Sequence, residues 1–134
     1  MSKKSIISVV VIFVLSMGLG FLVHGVLLAP DYSKFAGTLF RTPEDSEKYF
    51  SYMLIAHVIM AVGFVWIYIK GKEDKPFVMQ GIRFGIAVAL LMTIPTYLIY
   101  YAVQPLPGEV VLKQIVFDSM SMLLMGIVVA WLNK

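Results

Sequence analysis

The chain contains no cysteine, which excludes disulfide bonds, thiol catalysis and metal centres or clusters held by cysteine. Charged residues are also scarce: they make up 14% of the sequence, whereas 60% of its residues are hydrophobic. A soluble domain of 134 residues needs far more charge to cover its surface. The composition therefore predicts a membrane protein.

Four apolar runs are long enough to cross a bilayer, because a hydrocarbon core of roughly 30 Å needs about 20 helical residues. The first run is uncharged, the second includes His57, and the third and fourth are interrupted only by Arg83 and Asp118. These runs predict helices over about residues 5–28, 43–70, 76–103 and 109–133. The chain is therefore predicted to be one all-α domain, residues 1–134, folded as an antiparallel bundle of four transmembrane helices.

The distribution of lysine and arginine predicts the topology. Lys3 and Lys4 precede the first run, which is too long for a typical signal peptide and is interpreted as a retained helix. One side of a four-span topology carries the residues Lys3, Lys4, Lys70, Lys72, Lys75 and Lys134. The positive-inside rule then places both termini in the cytoplasm. A pI near 9.2 could suit nucleic acid, but the basic residues form no soluble patch, so no nucleic-acid partner is predicted.

The first external connection has apolar side chains at helical spacing: Tyr32, Phe35, Ala36, Leu39 and Phe40. This spacing predicts a short helix lying in the membrane interface, and an irregular loop with apolar anchors is the alternative. Thr42 and Pro43 then provide an N-cap and a first helical residue for the second helix.

Small residues mark the predicted packing faces, because they allow helices to approach closely in lipid. They are Gly20 in the first helix, Gly81, Gly85 and Ala89 in the third, and Gly126 in the fourth. The partner could be another helix of this chain or a second subunit, so a homo-oligomer or a larger membrane complex stays open. Gly18/Gly81 and Gly63/Gly126 share an offset of 63 residues, a coincidence that apolar helices produce easily. Pro95 predicts a kink in the third helix.

Each helix offers a polar group to the outer half of the membrane. At about 1.5 Å per residue, His57 lies roughly 12 Å deep, Tyr97 about 10 Å and His24 about 6 Å. Asp118 lies roughly 6–10 Å deep on the same scale. Because a carboxylate costs about 2.5–3.5 kcal/mol to insert, Asp118 should face the bundle and find a partner. His57 is the best predicted partner and Tyr97 is the alternative, and the predicted polar layer is completed by Thr96 and Ser121.

Three functions are compatible with such a layer. The first is a non-enzymatic accessory, assembly or subunit protein in which the polar groups fix helix register. The second is a redox protein that binds b-type haem through His24 and His57, or a quinone through His57 and Asp118. The third is a proton- or cation-coupled transporter or channel acting as an oligomer. No HExxH or GxSxG motif is present, so an enzyme is the weakest interpretation.

Four stretches, "FLVHGVLLAPDY", "LFR", "GIRFG" and "IPTYLIYYAVQPLPG", resemble a family of small four-span bacterial inner-membrane proteins. The resemblance covers the whole chain and implies the same four-span topology. It implies no activity and assigns no functional residue.

Overall fold

The computed structural model describes residues 1–134 and contains helices and turns but no β-strand. Four helices are long and apolar enough to cross a membrane: α1 (Lys3–Leu27), α4 (Phe50–Gly71), α5 (Phe77–Val103) and α6 (Gly108–Leu132). Two short helices, α2 (Ala29–Ser33) and α3 (Pro43–Glu47), lie in the connection between α1 and α4. The predicted all-α, four-span architecture is confirmed.

The two ends of the bundle differ in what they contain. At the terminal end, Lys4 donates a hydrogen bond to the carbonyl of Lys134, and Lys72 donates one to the carbonyl of Asn133. Both termini and the α4–α5 connection (residues 72–76) therefore lie together there. The opposite end, called the loop end, carries the connection that contains α2 and α3 and the turn at residues 104–107.

The core of the bundle is narrow and apolar, and it is formed mainly by α1, α4 and α6. Ile12, Ala61, Val65, Val129 and Ala130 have no exposed surface. Only 24 of 134 residues are buried, while large apolar side chains on all four long helices are exposed. Such an outer surface requires an apolar solvent, so the chain is a small integral membrane protein.

The closest helix packing joins α5 to α6. An added Cβ would lie 2.5 Å from the Cα of Ile127 at Gly81, and 2.7 Å from the Cα of Leu123 at Gly85. Gly126 of α6 sits directly against Gly81. Because the opposing atoms are backbone, no side chain can move aside, and only glycine permits this approach. Ala89 is buried one turn further along α5.

Two of the long helices contain a π-helical segment: Phe21–Leu27 at the loop end of α1 and Ala89–Thr93 in the middle of α5. In the first, the N–H of Leu28 reaches the carbonyl of Val23, five residues back. In the second, the segment directly precedes Pro95, the residue at which a kink is predicted. Proline has no N–H and pushes away the carbonyl four residues earlier, which disturbs the regular α-helical pattern.

The connection between α1 and α4 is less helical than its spacing predicts. Helix α2 ends at Ser33, and the chain then turns around Gly37, whose φ of 80° requires glycine. The rings of Tyr32 and Phe40 pack edge to face at 4.9 Å. A turn at residues 48–49 separates α3 from α4, so the helix predicted from residue 43 is interrupted.

Candidate functional site

Five polar side chains meet near the loop end, inside the bundle. They are His24 of α1, Tyr32 of α2, Tyr97 of α5, and Gln114 and Asp118 of α6, together called the His24 cluster. Gln114 and Asp118 are four residues apart and therefore lie on the same face of α6. His24 lies within the π-helical segment of α1, and Tyr97 follows that of α5 by four residues. Local breaks in α-helical geometry are common at functional sites.

His24 is the centre of the cluster. Its Nε2 lies 3.1 Å from the carboxylate of Asp118, and its Nδ1 lies 2.7 Å from the hydroxyl of Tyr32. The hydroxyl of Tyr97 donates to the same oxygen of Asp118 and lies 3.5 Å from His24 Nε2. The amide of Gln114 donates to the hydroxyl of Tyr32 at 3.0 Å.

One protonation pattern satisfies every hydrogen in this chain of contacts. A neutral His24 protonated on Nε2 donates to the carboxylate of Asp118 and accepts at Nδ1 from the Tyr32 O–H. The Tyr32 oxygen then remains free to accept from Gln114. These contacts link Asp118, His24, Tyr32 and Gln114 in one hydrogen-bonded chain.

An ion pair joins the residues that directly precede two members of the cluster, Gln114 and Tyr32. Lys113 lies 3.3 Å from Asp31 and 3.4 Å from Glu109. Burial raises the pKa of Tyr32 to about 12, and the nearby carboxylates of Asp118 and Asp31 add to this rise, while the Gln114 hydrogen bond opposes it. Tyr32 therefore remains an uncharged phenol at neutral pH.

One polar atom of the cluster has no hydrogen-bond partner in the protein. Gln114 is 6% exposed, and its side-chain oxygen is buried without a hydrogen-bond partner. The side chain of His24 is 35% exposed and that of Asp118 is 17% exposed. The site is thus enclosed but reachable from the surface of the bundle.

His57 is not the partner of Asp118 in the structure, contrary to the predicted pairing. Its Nδ1 lies 2.9 Å from the hydroxyl of Ser16, and its ring packs over Gly20. The physical reason is that α4 packs mainly on α1 and barely contacts α6. Depth alone could not distinguish the two histidines, since the face that each helix presents decides which one meets α6.

The other predicted polar residues do not join the cluster. Ser121 donates to the carbonyl of Phe117 in its own helix, and Thr96 makes no side-chain hydrogen bond. Tyr97 is the predicted polar-layer residue that the structure brings to Asp118. Tyr32 and Gln114 were missed by sequence reasoning, which treated Tyr32 as an apolar anchor and assigned no role to Gln114. The i, i+4 spacing of Gln114 and Asp118 was the available signal.

The histidines predicted to ligate haem contact different groups. Both ring nitrogens of His24 are hydrogen-bonded, so axial ligation by His24 would break its bond to Asp118 or Tyr32. His57 uses one nitrogen for Ser16. No three His, Asp or Glu side chains come together as metal ligands. Binding of haem or a quinone stays a prediction.

No protein-family model, curated protein or solved structure matches this chain.

Proposed function

We propose that this integral membrane protein is a non-enzymatic accessory, assembly or subunit protein whose His24 cluster fixes the packing of its helices. The observation that supports the proposal is that His24 contacts groups from three other elements, α2, α5 and α6. A side chain with this many partners determines both the rotation and the depth of α1 against the rest of the bundle.

The energetics favour such a role. Inserting the carboxylate of Asp118 costs about 2.5–3.5 kcal/mol on translocon scales. A hydrogen bond to a charged group returns about 1.5–3 kcal/mol, and Asp118 accepts two of them. The carboxylate is therefore tolerated in the arrangement that brings His24 and Tyr97 to it, and alternative packings leave it unpaired.

Asp118 variants test this proposal. Asp118→Asn retains an acceptor and removes the charge, so the melting temperature in detergent should change little. Asp118→Leu leaves His24 and Tyr97 unpaired and should lower the free energy of unfolding by about 2–3 kcal/mol. Met120→Leu, at an exposed position of the same helix, provides the control. Equal stability of the Leu and Asn variants would contradict a role in packing.

We also propose that the protein lies in a bacterial inner membrane with both termini in the cytoplasm. The support is the lysine excess at the terminal end, together with the position of both termini there. Cysteines introduced at Ser33 and Gly71 should react with a membrane-impermeant maleimide from opposite sides, since they lie at opposite ends of the bundle. Labelling of both positions in intact cells would contradict the four-span topology.

A second candidate function is proton exchange with a bound quinone or during coupled transport. The supporting observation is the continuous chain of titratable groups from Asp118 through His24 to Tyr32, which leads toward the loop end. In this case Asp118→Asn should abolish proton uptake in proteoliposomes while leaving the fold intact. The absorption spectrum of the purified protein separately tests haem, because a Soret band with split reduced bands would establish it.

A further inference from the structure

A gap opens between α4 and α5 at the terminal end of the bundle. The backbones of these helices hardly approach one another, and aromatic side chains bridge them: Phe84 packs against Phe64 at 4.7 Å and Tyr68 at 5.3 Å. Two adjoining cavities, of about 250 and 560 Å³, lie beside this bridge and are both lined by Tyr68, Lys72 and Gln80. They are formed by the helices and by the connection at residues 72–76.

Arg83 lines the smaller cavity together with Glu73, but no acid lies within ion-pair distance of it. It lies six residues after Phe77, or about 9 Å into α5 from its beginning. It is exposed, and it makes neither an ion pair nor a hydrogen bond with any residue of the chain. An unpaired arginine in a membrane-spanning helix is costly unless its guanidinium reaches the headgroup layer or binds an anion.

Tyr68 gives an independent observation. The residue is 4% exposed and lines both cavities, yet its hydroxyl makes no hydrogen bond in the structure. The ring of Tyr68 is buried, whereas its hydroxyl is not fully enclosed and borders the cavities, where it is free to donate to a ligand. A ligand with an acceptor oxygen in the cavity would accept that hydrogen bond.

The charge at this site is positive. Four cations line the two cavities, Lys72, Lys75, Arg83 and Lys134, against the two acids Glu73 and Asp74. Glu73 is already ion-paired with Lys75, which lowers the pKa of that carboxyl group. Lys72 donates to the carbonyl of Asn133 and makes no ion pair, so it remains available together with Arg83.

We propose that this site binds the phosphate group of an anionic lipid, with Arg83 and Lys72 contacting the phosphate oxygens and Tyr68 donating a hydrogen bond. The lining also includes the apolar side chains of Ile67 and Phe84, which continue toward the hydrocarbon layer. A lipid is favoured over a soluble phosphate because the gap lies between two membrane-spanning helices, one of which carries Arg83.

Native mass spectrometry of the detergent-purified chain tests the proposal by counting bound lipids during titration with phosphatidylglycerol or phosphatidylcholine. Arg83→Gln should weaken phosphatidylglycerol binding about fivefold, since one basic residue near an anionic headgroup contributes about 1 kcal/mol. Arg83→Lys should restore much of the binding, because it retains the charge. Tyr68→Phe removes only the hydroxyl and should weaken binding as well.

Lys70→Gln is the matched control, because Lys70 lies at the same end of α4, is exposed and lines neither cavity. It should leave phosphatidylglycerol binding within twofold of the native chain. An equal loss in Lys70→Gln and Arg83→Gln would show general surface attraction and overturn the proposal, as would equal binding of the two lipids. Competition by millimolar inorganic phosphate as strong as that by phosphatidylglycerol would reject a lipid as the source.

Discussion

The two helical hairpins of the bundle, α1–α4 and α5–α6, contain glycines 63 residues apart but use them differently. Gly81 and Gly126 of the second hairpin touch across the α5–α6 interface, where neither tolerates a Cβ. Their counterparts Gly18 and Gly63 in the first hairpin have no atom within 4 Å of an added Cβ. The matching positions therefore do not reflect matching contacts.

The first hairpin instead relies on apolar packing and a polar contact. Ile12 of α1 is buried against Ala61 and Val65 of α4, and Ser16 bonds to His57 nearer the loop end. The second hairpin is closed by direct backbone contact along Gly81 and Gly85, and Tyr97 of α5 donates to Asp118 of α6 nearer the loop end. A small residue in a membrane helix therefore indicates a contact only where the backbone of a neighbouring helix lies against it.

The largest expected effect is on the glycine contact of the second hairpin. Gly85→Leu should lower the free energy of unfolding by about 3 kcal/mol, because its side chain would meet the backbone of α6. Gly63→Leu is the matched change in the first hairpin and should cost far less, since that position is open. Denaturation in mixed micelles measures both. Similar losses for the two variants would remove the proposed difference between the hairpins.

A smaller effect is expected from the polar contact of the first hairpin. Ser16→Ala removes the partner of His57 and should destabilise the chain by about 1 kcal/mol. Ser51→Ala changes an exposed serine of α4 and serves as the control. A loss for Ser16→Ala as large as that for Gly85→Leu would indicate that the first hairpin depends on its polar contact as strongly as the second depends on glycine.

The smallest expected change in stability at neutral pH is that of Tyr32→Phe. Tyr32 lies between the hairpins and contacts His24 of one and Gln114 of the other. Its pKa is raised from 10 to about 12, so the folded state holds this proton more tightly than the unfolded chain. The resulting stability is complete below pH 10 and is lost as the pH rises through 12. Tyr32→Phe should therefore show a shallower loss of stability in this window. Parallel curves for both chains would show that Tyr32 does not link the hairpins.

Sequence reasoning succeeded where one physical quantity decides the outcome. The length of an apolar run fixes whether a helix can cross the bilayer, and the structure contains four helices of that length, although the second begins at Phe50 rather than at residue 43. The need to satisfy Asp118 indicated that this residue faces other polar groups. Tyr97 lay among the expected partners for the same reason, because its depth matched.

Sequence reasoning failed where the choice depended on helix rotation. His24 and His57 were both at plausible depths, and the structure brings His24 to Asp118 because α1 packs on α6 while α4 hardly does. Tyr32 could not be assigned to the cluster before the path of the connection after Leu28 was known. That path depends on the π-helical segment of α1 and the turn at α2.

The lipid environment, the number of spanning helices and the need to pair a buried carboxylate follow from the sequence alone, because each depends on the free energy of transferring its residues into the bilayer. The tertiary structure places His24 rather than His57 beside Asp118, closes an interface with Gly81 but not Gly18, and leaves Arg83 in a cavity without an ion-pair partner. Each of these depends on which helix faces are in contact, and residues far apart in the chain share no local signal for that.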